Sequence, residues 1–184
     1  GNYHMCAPHD MFGFKRRNPG GMASYMVFPV QALVHKISKH LPAAHAAFAE
    51  PLSCALHAVE RARIGFADVV VVAGCGPIGL GMIAGAAAKF PAAIVALDMD
   101  QRKLDLALRT GATHAVNIAD QDAMAVVKEL TGGYGADVYL EGTGHPSAEV
   151  QGLNLLRKLG RFVEYSVFKD DVSVDWSIIS DDKE

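Results

Sequence analysis

At 184 residues and 51% hydrophobic composition, the chain can bury one good core, and its length suggests one domain plus a remnant. A formal net charge of −3 gives no electrostatic case for nucleic acid or an anionic membrane surface as partner. Three cysteines (Cys6, Cys54, Cys75) make no disulfide framework, and no signal peptide, lipidation motif or run of 18 apolar residues is present, so a cytoplasmic protein without membrane attachment is expected.

In chain order, Gly1 to Cys6 has no initiator methionine and reads as the middle of a longer polypeptide. Residues 12–21 are a loop by their Gly, Pro and Asn content, and Met22 to Val34 alternates imperfectly, which predicts short edge strands interrupted at Pro29. Pro42 to Ile64 is helical, with Ala44, Phe48 and Leu52 at spacing four. Pro51 should divide it, placing Glu50 at a junction between two helices. Glu50 there is either a charge at a helix start or a functional acid, and the residues alone do not choose.

The centre of the chain is Asp68 to Asp98. Val69 to Ala73 is an unbroken β-branched run, as in a strand covered on both faces. It enters Gly74-Cys75-Gly76-Pro77-Ile78-Gly79, then a helix over Leu80 to Phe90, then a second apolar strand from Ala93 ending at Asp98. Gly74 permits the tight turn, Gly76 lets backbone approach a pyrophosphate, and Gly79 lets the helix pack close to the strand. The helix N-terminus presents free N–H groups to phosphate, and Asp98 can accept from both ribose hydroxyls of an adenosine while repelling a 2′-phosphate. A methyltransferase-like adenosyl binder uses a similar loop and acid, and a dinucleotide-binding domain serving only structure or assembly is a further alternative.

After Asp98 the same rhythm continues: helix 100–109, strand 114–117, helix 123–130, strand 137–141, helix 146–159 stopped by Gly160, and strand 161–165. Such alternation requires a parallel sheet with right-handed crossovers, expected here in the order 3-2-1-4-5. The eight histidines have no mutual spacing that makes a metal site, although His57, two turns after Glu50, could face the same cleft. Cys54 and Cys75 read as small buried residues.

Several motifs converge. Gly20-Gly21-Met22-Ala23-Ser24-Tyr25, Glu50-Pro51-Leu52-Ser53-Cys54-Ala55-Leu56-His57-Ala58, Ala73-Gly74-Cys75-Gly76-Pro77-Ile78-Gly79-Leu80, Arg109-Thr110-Gly111-Ala112 and Glu141-Gly142-Thr143-Gly144 stand in one order and spacing. With them the chain resembles the zinc-dependent medium-chain alcohol dehydrogenases, in the sorbitol or polyol dehydrogenase branch. Its tail from Arg161 to Trp176 is similar to that of tetritol-oxidising members. The resemblance implies an α/β Rossmann fold, a doubly wound parallel sheet with five of six strands. Residues 45–184 would be the NAD-binding domain, incomplete at its C-terminus, and residues 1–44 the remnant of an N-terminal β-rich, GroES-like catalytic domain.

The implied activity is oxidation of a secondary alcohol of a sugar alcohol to a ketose, by hydride transfer to NAD with zinc as Lewis acid. This chain alone is expected to be inactive, because the family's catalytic-zinc cysteine and Gly-His-Glu motif are not among its residues. Cys6 matches the last of four structural-zinc cysteines. Glu50 matches a glutamate beside the catalytic metal, as ligand or as partner of a zinc-bound oxygen, and is the implied catalytic residue. Gly74, Gly76, Pro77, Ile78 and Gly79 would take the pyrophosphate and Asp98 the adenosine ribose. Lys103 or Arg102 would flank the adenine, unless both are solvated helix charges. Thr143, Tyr165, Ser166 and Val167 would line the crevice at the ends of strands four and five, with Ser166 standing where a glycine is usual. Phe12 lies in a loop that contributes to substrate pockets in this branch. The expected partners are a small polyol and further copies of the chain, in a homodimer or homotetramer.

Overall fold

The computed structural model describes residues 7–8, 10–30 and 32–179, and the chain divides into two compact units, residues 1–41 and 42–184. Cys6 lies outside the described residues. In the first unit, Gly13 turns at φ +83° and donates its N–H to the Asn18 carbonyl at 2.8 Å. Asp10 accepts from Arg17 Nε at 3.0 Å, and that hydrogen bond holds its carboxyl below the usual carboxylate range. Phe12 packs edge to face on Phe28, with ring centroids 5.7 Å apart. The strands expected over 22–34 are absent among the described residues, where one isolated bridge joins Lys15 to Asn18. Alternation alone could not form them, since Met22, Tyr25, Val27 and Val30 are exposed and gain nothing by burial of one face.

The second unit runs α1 (Ala43–Ala47), α2 (Ala49–Arg61), β1 (Val69–Ala73), α3 (Pro77–Ala87), β2 (Ala93–Asp98), α4 (Gln101–Thr110), β3 (His114–Asn117), α5 (Ala123–Thr131), β4 (Ala136–Glu141), α6 (Pro146–Leu155), β5 (Leu156–Glu164) and a 3-10 turn (Trp176–Ile178). The five strands form one parallel sheet in the expected order β3-β2-β1-β4-β5. All five residues of β1 are buried because the two faces belong to different cores. Val70 and Val72 join Ala55, Val59, Met82, Ile83 and Leu104 under α2, α3 and α4. Val69, Val71 and Ala73 join Leu97, Val127, Tyr139 and Leu155 under α5 and α6. The period-two alternation of a strand thus appears as two apolar sets rather than one apolar and one polar.

Several element boundaries differ from expectation, α3 for one running over Pro77–Ala87 where a helix over Leu80 to Phe90 was expected. The helical break falls at Phe48, between α1 and α2, and not at Pro51. Pro51 is the third residue of α2, where no N–H is needed for an intrahelical bond, so it starts this helix without kinking it. Helix α6 stops at Leu155 instead of Leu159. From Leu156 the chain pairs with β4 through an irregular register, Leu159 takes a left-handed φ of +57°, and Arg157 Nε reaches Asp137 Oδ1 at 2.5 Å. Pairing with β4 outweighs the helical propensity of this leucine-rich stretch. Gly152 leaves room beneath α6 for Tyr139 and Phe162, whose rings stack at 5.2 Å; a Cβ there would sit 2.4 Å from the Tyr139 ring.

α3 carries glycines toward α2: a Cβ at Gly81 would meet that of Ala55 at 2.8 Å, and one at Gly85 would meet Leu56 at 2.9 Å. The matching rises in the same direction along both helices, so α2 and α3 run parallel. The start of α2, with Glu50, therefore lies at the same end of the sheet as the glycine loop. Among the described residues no helix is long and apolar enough to cross a membrane.

Candidate functional site

The chain winds from β1 through β2 to β3 on one side and continues with β4 and β5 on the other, so the order reverses beside the carboxyl end of β1. Ligands bind open α/β sheets at such a point. Gly74 makes the turn at φ +88°. A Cβ on it would lie 2.9 Å from Thr143 Cγ2, so this glycine also admits the β4 loop alongside. Gly79 is packed most tightly: a Cβ would stand 1.8 Å from the Gly74 carbonyl oxygen. Gly76 is the opposite case, with an extended ψ of −177° and nothing within 4 Å of a would-be Cβ. No side chain caps the start of α3, which opens with Pro77 and Ile78. The first-turn N–H groups of this helix, those of Ile78 and Gly79, therefore have no side-chain partner.

Asp98, ending β2, is drawn into the loop. Its Oδ2 accepts the Cys75 N–H at 2.8 Å, and its Oδ1 accepts the N–H groups of Met99 at 2.8 Å and Asp100 at 2.9 Å. Three acceptor positions are thus occupied, and one remains on Oδ2. Burial, with the Asp98 charge adding to it, pushes the Cys75 thiol up to about 12, so this cysteine is an inert packed residue. Beside the acid lies an open concavity of about 450 Å³ whose lining includes Gly76, Pro77, Asp100, Arg102, Lys103 and Leu106. Asp100 caps α4 by accepting Arg102 N–H at 2.9 Å and also binds the Arg102 guanidinium, which lowers the acid and raises the base. Lys103 Nζ stands 3.8 Å from Asp98 Oδ2.

Across the crevice the ends of β4 and β5 are organised by Glu141, a buried carboxylate that sequence reasoning quoted in a motif but gave no role. It accepts the N–H groups of Thr143 at 2.8 Å and Gly144 at 3.1 Å, together with the hydroxyls of Thr143 and Ser166. An acid followed by Gly-Thr-Gly at a strand end is the signal that could have shown it, because the N–H groups two and three residues on turn back to such a carboxylate. Ser166 Oγ also lies 2.8 Å from Glu164 Oε1, so the two carboxylates compete for its one proton. Val167 is 91% exposed, so its side chain is free of the crevice wall. Burial first, then the thiol of Cys54 on α2, pushes the Tyr165 hydroxyl up to about 12. Cys54 in turn donates to Glu50 Oε1 at 3.3 Å. Glu50 is exposed in the first turn of α2, and His57 is exposed farther along the helix.

The sequence of residues 77–183 matches the family model described as "Zinc-binding dehydrogenase". The chain belongs to the zinc-binding dehydrogenase family. It is 72% identical, over its full length, to 51% of the erythritol/L-threitol dehydrogenase of Mycolicibacterium smegmatis. Over 175 residues, 91% of this chain and 48% of the relative, it is 37% identical to a sorbitol dehydrogenase of Halalkalibacterium halodurans. The chain therefore spans about half the length of these curated relatives. A solved Escherichia coli oxidoreductase/dehydrogenase of unknown specificity superposes with a TM-score of 0.91 over all of this chain and 52% of its own, at 21% identity, which shows the fold. Membership of the zinc-binding dehydrogenases leaves no place for the methyltransferase-like alternative.

Proposed function

We propose that residues 45–184 are the NAD-binding part of a zinc-linked polyol dehydrogenase, that residues 1–44 belong to its catalytic domain, and that the whole enzyme oxidises a secondary alcohol of a tetritol-like sugar alcohol to a ketose. The observation that carries the reading is the pairing of an uncapped helix start with a fixed acid. No side chain caps the α3 amides, nothing lies within 4 Å of a would-be Cβ on Gly76, and Asp98, which accepts the N–H of Cys75 on the concavity's lining, keeps one acceptor position. A dinucleotide fits this donor set: pyrophosphate oxygens on the amides of Gly76, Ile78 and Gly79, a ribose hydroxyl on Asp98, and an adenine against Arg102 and Lys103. When bound, the nicotinamide supplies the hydride acceptor. Thr143, Ser166 and Tyr165, ordered by Glu141 and Cys54, would shape the opposite wall, with the backbone at Val167 beside them.

Zinc is a different case. Glu50 offers one carboxylate, and among the described residues the ligand-type side chains that cluster within 4.8 Å are Glu141, Glu149 and Glu164, a group that excludes Glu50. The described residues do not by themselves fit a four-ligand zinc site. Cys6 and Glu50 are proposed as metal-side residues, Glu50 being the catalytic one, only within the longer enzyme. A homodimer or homotetramer and a cytoplasmic location belong to the same proposal.

Fluorescence titration with NADH and NADPH tests the cofactor reading. The unphosphorylated form should bind about tenfold or more tightly, and Asp98→Asn should narrow the gap. Equal affinities in the unaltered chain would remove the support for NAD.

A further inference from the structure

Three acids from three elements meet at the carboxyl ends of β4 and β5. Glu141 of β4, Glu149 of α6 and Glu164 of β5 each place a carboxylate oxygen within 4.8 Å of the other two. Glu141 is wholly buried and fixed by the N–H groups of Thr143 and Gly144, Glu149 is half-buried, and Glu164 is exposed. The charges that act on Glu149 are both negative, those of Glu164 and Glu141. From β4, Tyr139 adds a hydroxyl that burial and the same acids hold protonated. Arg157, Lys158 and Arg161 lie farther back along β5, the two arginines paired with Asp137 at 2.5 Å and Asp68 at 2.6 Å. His145, at the start of α6, is exposed with its ring on Ser147 at 2.8 Å. Three carboxylates that meet without a cation do not all ionise together at neutral pH. The protons at Ser166 give the same count. Its Oγ touches Glu141 on one side and Glu164 Oε1 on the other, with one proton to donate. With that proton on Glu141, the contact with Glu164 is favourable when Glu164 is itself a donor.

We infer that Glu149 and Glu164 hold one proton between them, and that this proton is a pH-sensitive clasp joining α6 to the end of β5 and keeping Ser166 on Glu141. Carried by Glu149, the proton is donated to Glu164. Carried by Glu164, it is donated to Ser166 Oγ and completes a chain that ends on the buried acid. When base in solution removes it, two bare carboxylates face each other, and Glu164 either takes the Ser166 proton from Glu141 or turns away. The turn after β5 moves in either case. It lies against the turn after β4, where a Cβ at Gly144 would meet the Val167 carbonyl oxygen at 2.9 Å, so Gly144 and Ser166 respond together. Burial first, then Glu164, raises Glu149 to about 8, so the clasp is closed at neutral pH and opens as pH rises through that value. The crevice wall formed by the ends of β4 and β5 is thereby firm at neutral pH and loosened in alkali.

NMR titration of the chain with isotope-labelled glutamate carboxyls and backbone amides, in buffer containing a chelator, tests this on the unaltered protein. One glutamate carboxyl carbon should titrate with a midpoint of about 8, against about 4.3 for an unperturbed glutamate. The amides of Gly144 and Ser166 should shift with the same midpoint. Glu149→Gln and Glu164→Gln each supply a carboxamide that donates in place of the shared proton. Either variant should abolish the alkaline step and hold those two amides near their low-pH positions throughout. The inference is overturned if every glutamate carboxyl of the unaltered chain titrates below about 6. It is equally overturned if one carboxyl titrates in alkali while the Gly144 and Ser166 amides stay still, or if the step survives in both variants, since the proton then belongs to another acid.

Discussion

Alanine at Gly79 and alanine at Gly76 should fail in opposite ways, although the residues are three apart in one loop. At Gly79 the new methyl would stand 1.8 Å from the Gly74 carbonyl oxygen and 2.9 Å from its carbon, both backbone atoms. Relieving that contact means parting the loop from α3 by more than about 1 Å, at the centre of the sheet's carboxyl end. Overpacking of this kind costs about 3 kcal/mol, and for a chain of this size that lowers the melting temperature by roughly 6–12 °C. At Gly76 the methyl would meet no protein atom, and the backbone angles, φ −72° and ψ −177°, suit any residue. Stability should change by less than about 1 kcal/mol, while a pyrophosphate approaching the helix start would meet the methyl and NADH affinity should fall about tenfold or more. Urea unfolding followed by circular dichroism gives the first quantity and NADH titration the second. A Gly79→Ala protein as stable as the original, or a Gly76→Ala protein with undiminished affinity, would refute the reading of this loop.

Other expectations are independent of that loop. Burial, then a hydrogen bond to Glu164 and the charge of Glu141, raise Glu149 from 4.5 to about 8. Between those values the native state holds a proton that the unfolded chain has lost, so this contribution to stability is complete below pH 4.5 and is lost as pH rises through 8. Glu149→Gln should match the original at low pH and exceed it at pH 9 by roughly 1 kcal/mol, a figure reduced for solvent screening at a part-exposed site; an equal difference at both pH values would contradict this. Tyr139→Phe removes a buried donor 2.9 Å from the Ala148 carbonyl and should cost about 1 kcal/mol in urea unfolding. Metal analysis after dialysis against a chelator should find zinc well below stoichiometric in this chain, and stoichiometric retention would mean that its ligand set has been misread.

The features legible in sequence are those enforced locally. The β-branched run of β1, the Gly74 turn, the Gly79 contact and the cap formed by Asp100 each depend on a residue type that admits few alternatives. The order of strands followed from the dinucleotide-binding pattern around the glycine loop, whose fold has that order. What escaped was decided by partners far along the chain. The end of α6 is set by pairing of residues 156–161 with β4, which the helix-forming residues before Gly160 conceal. The break at Phe48 rather than Pro51 reflects proline's tolerance of a first turn. In the site, the glycine loop and Asp98 were readable as a pattern, but its occupancy by three N–H groups was not, because two belong to the turn after β2 and the third comes from Cys75. Glu141 was half hidden for a similar reason: the Gly-Thr-Gly after it signals a turn onto its carboxylate, but its other partner, Ser166, comes from the end of β5, far along the chain.

The fixed Asp98 carboxylate also constrains how this chain could change its cofactor. In a site where the selecting acid stood free in solvent, exchanging it for a small neutral residue would alter preference and little else. Here the same exchange strips an acceptor from the Cys75, Met99 and Asp100 amides, and leaving the two part-buried donors, those of Cys75 and Asp100, unpaired costs about 1–3 kcal/mol each. Variation toward a phosphorylated cofactor would thus meet a folding threshold before it met a catalytic one. The easier path leaves Asp98 in place and adds positive charge along the first turn of α4, where Gln101 is exposed and Lys103 already stands at the rim.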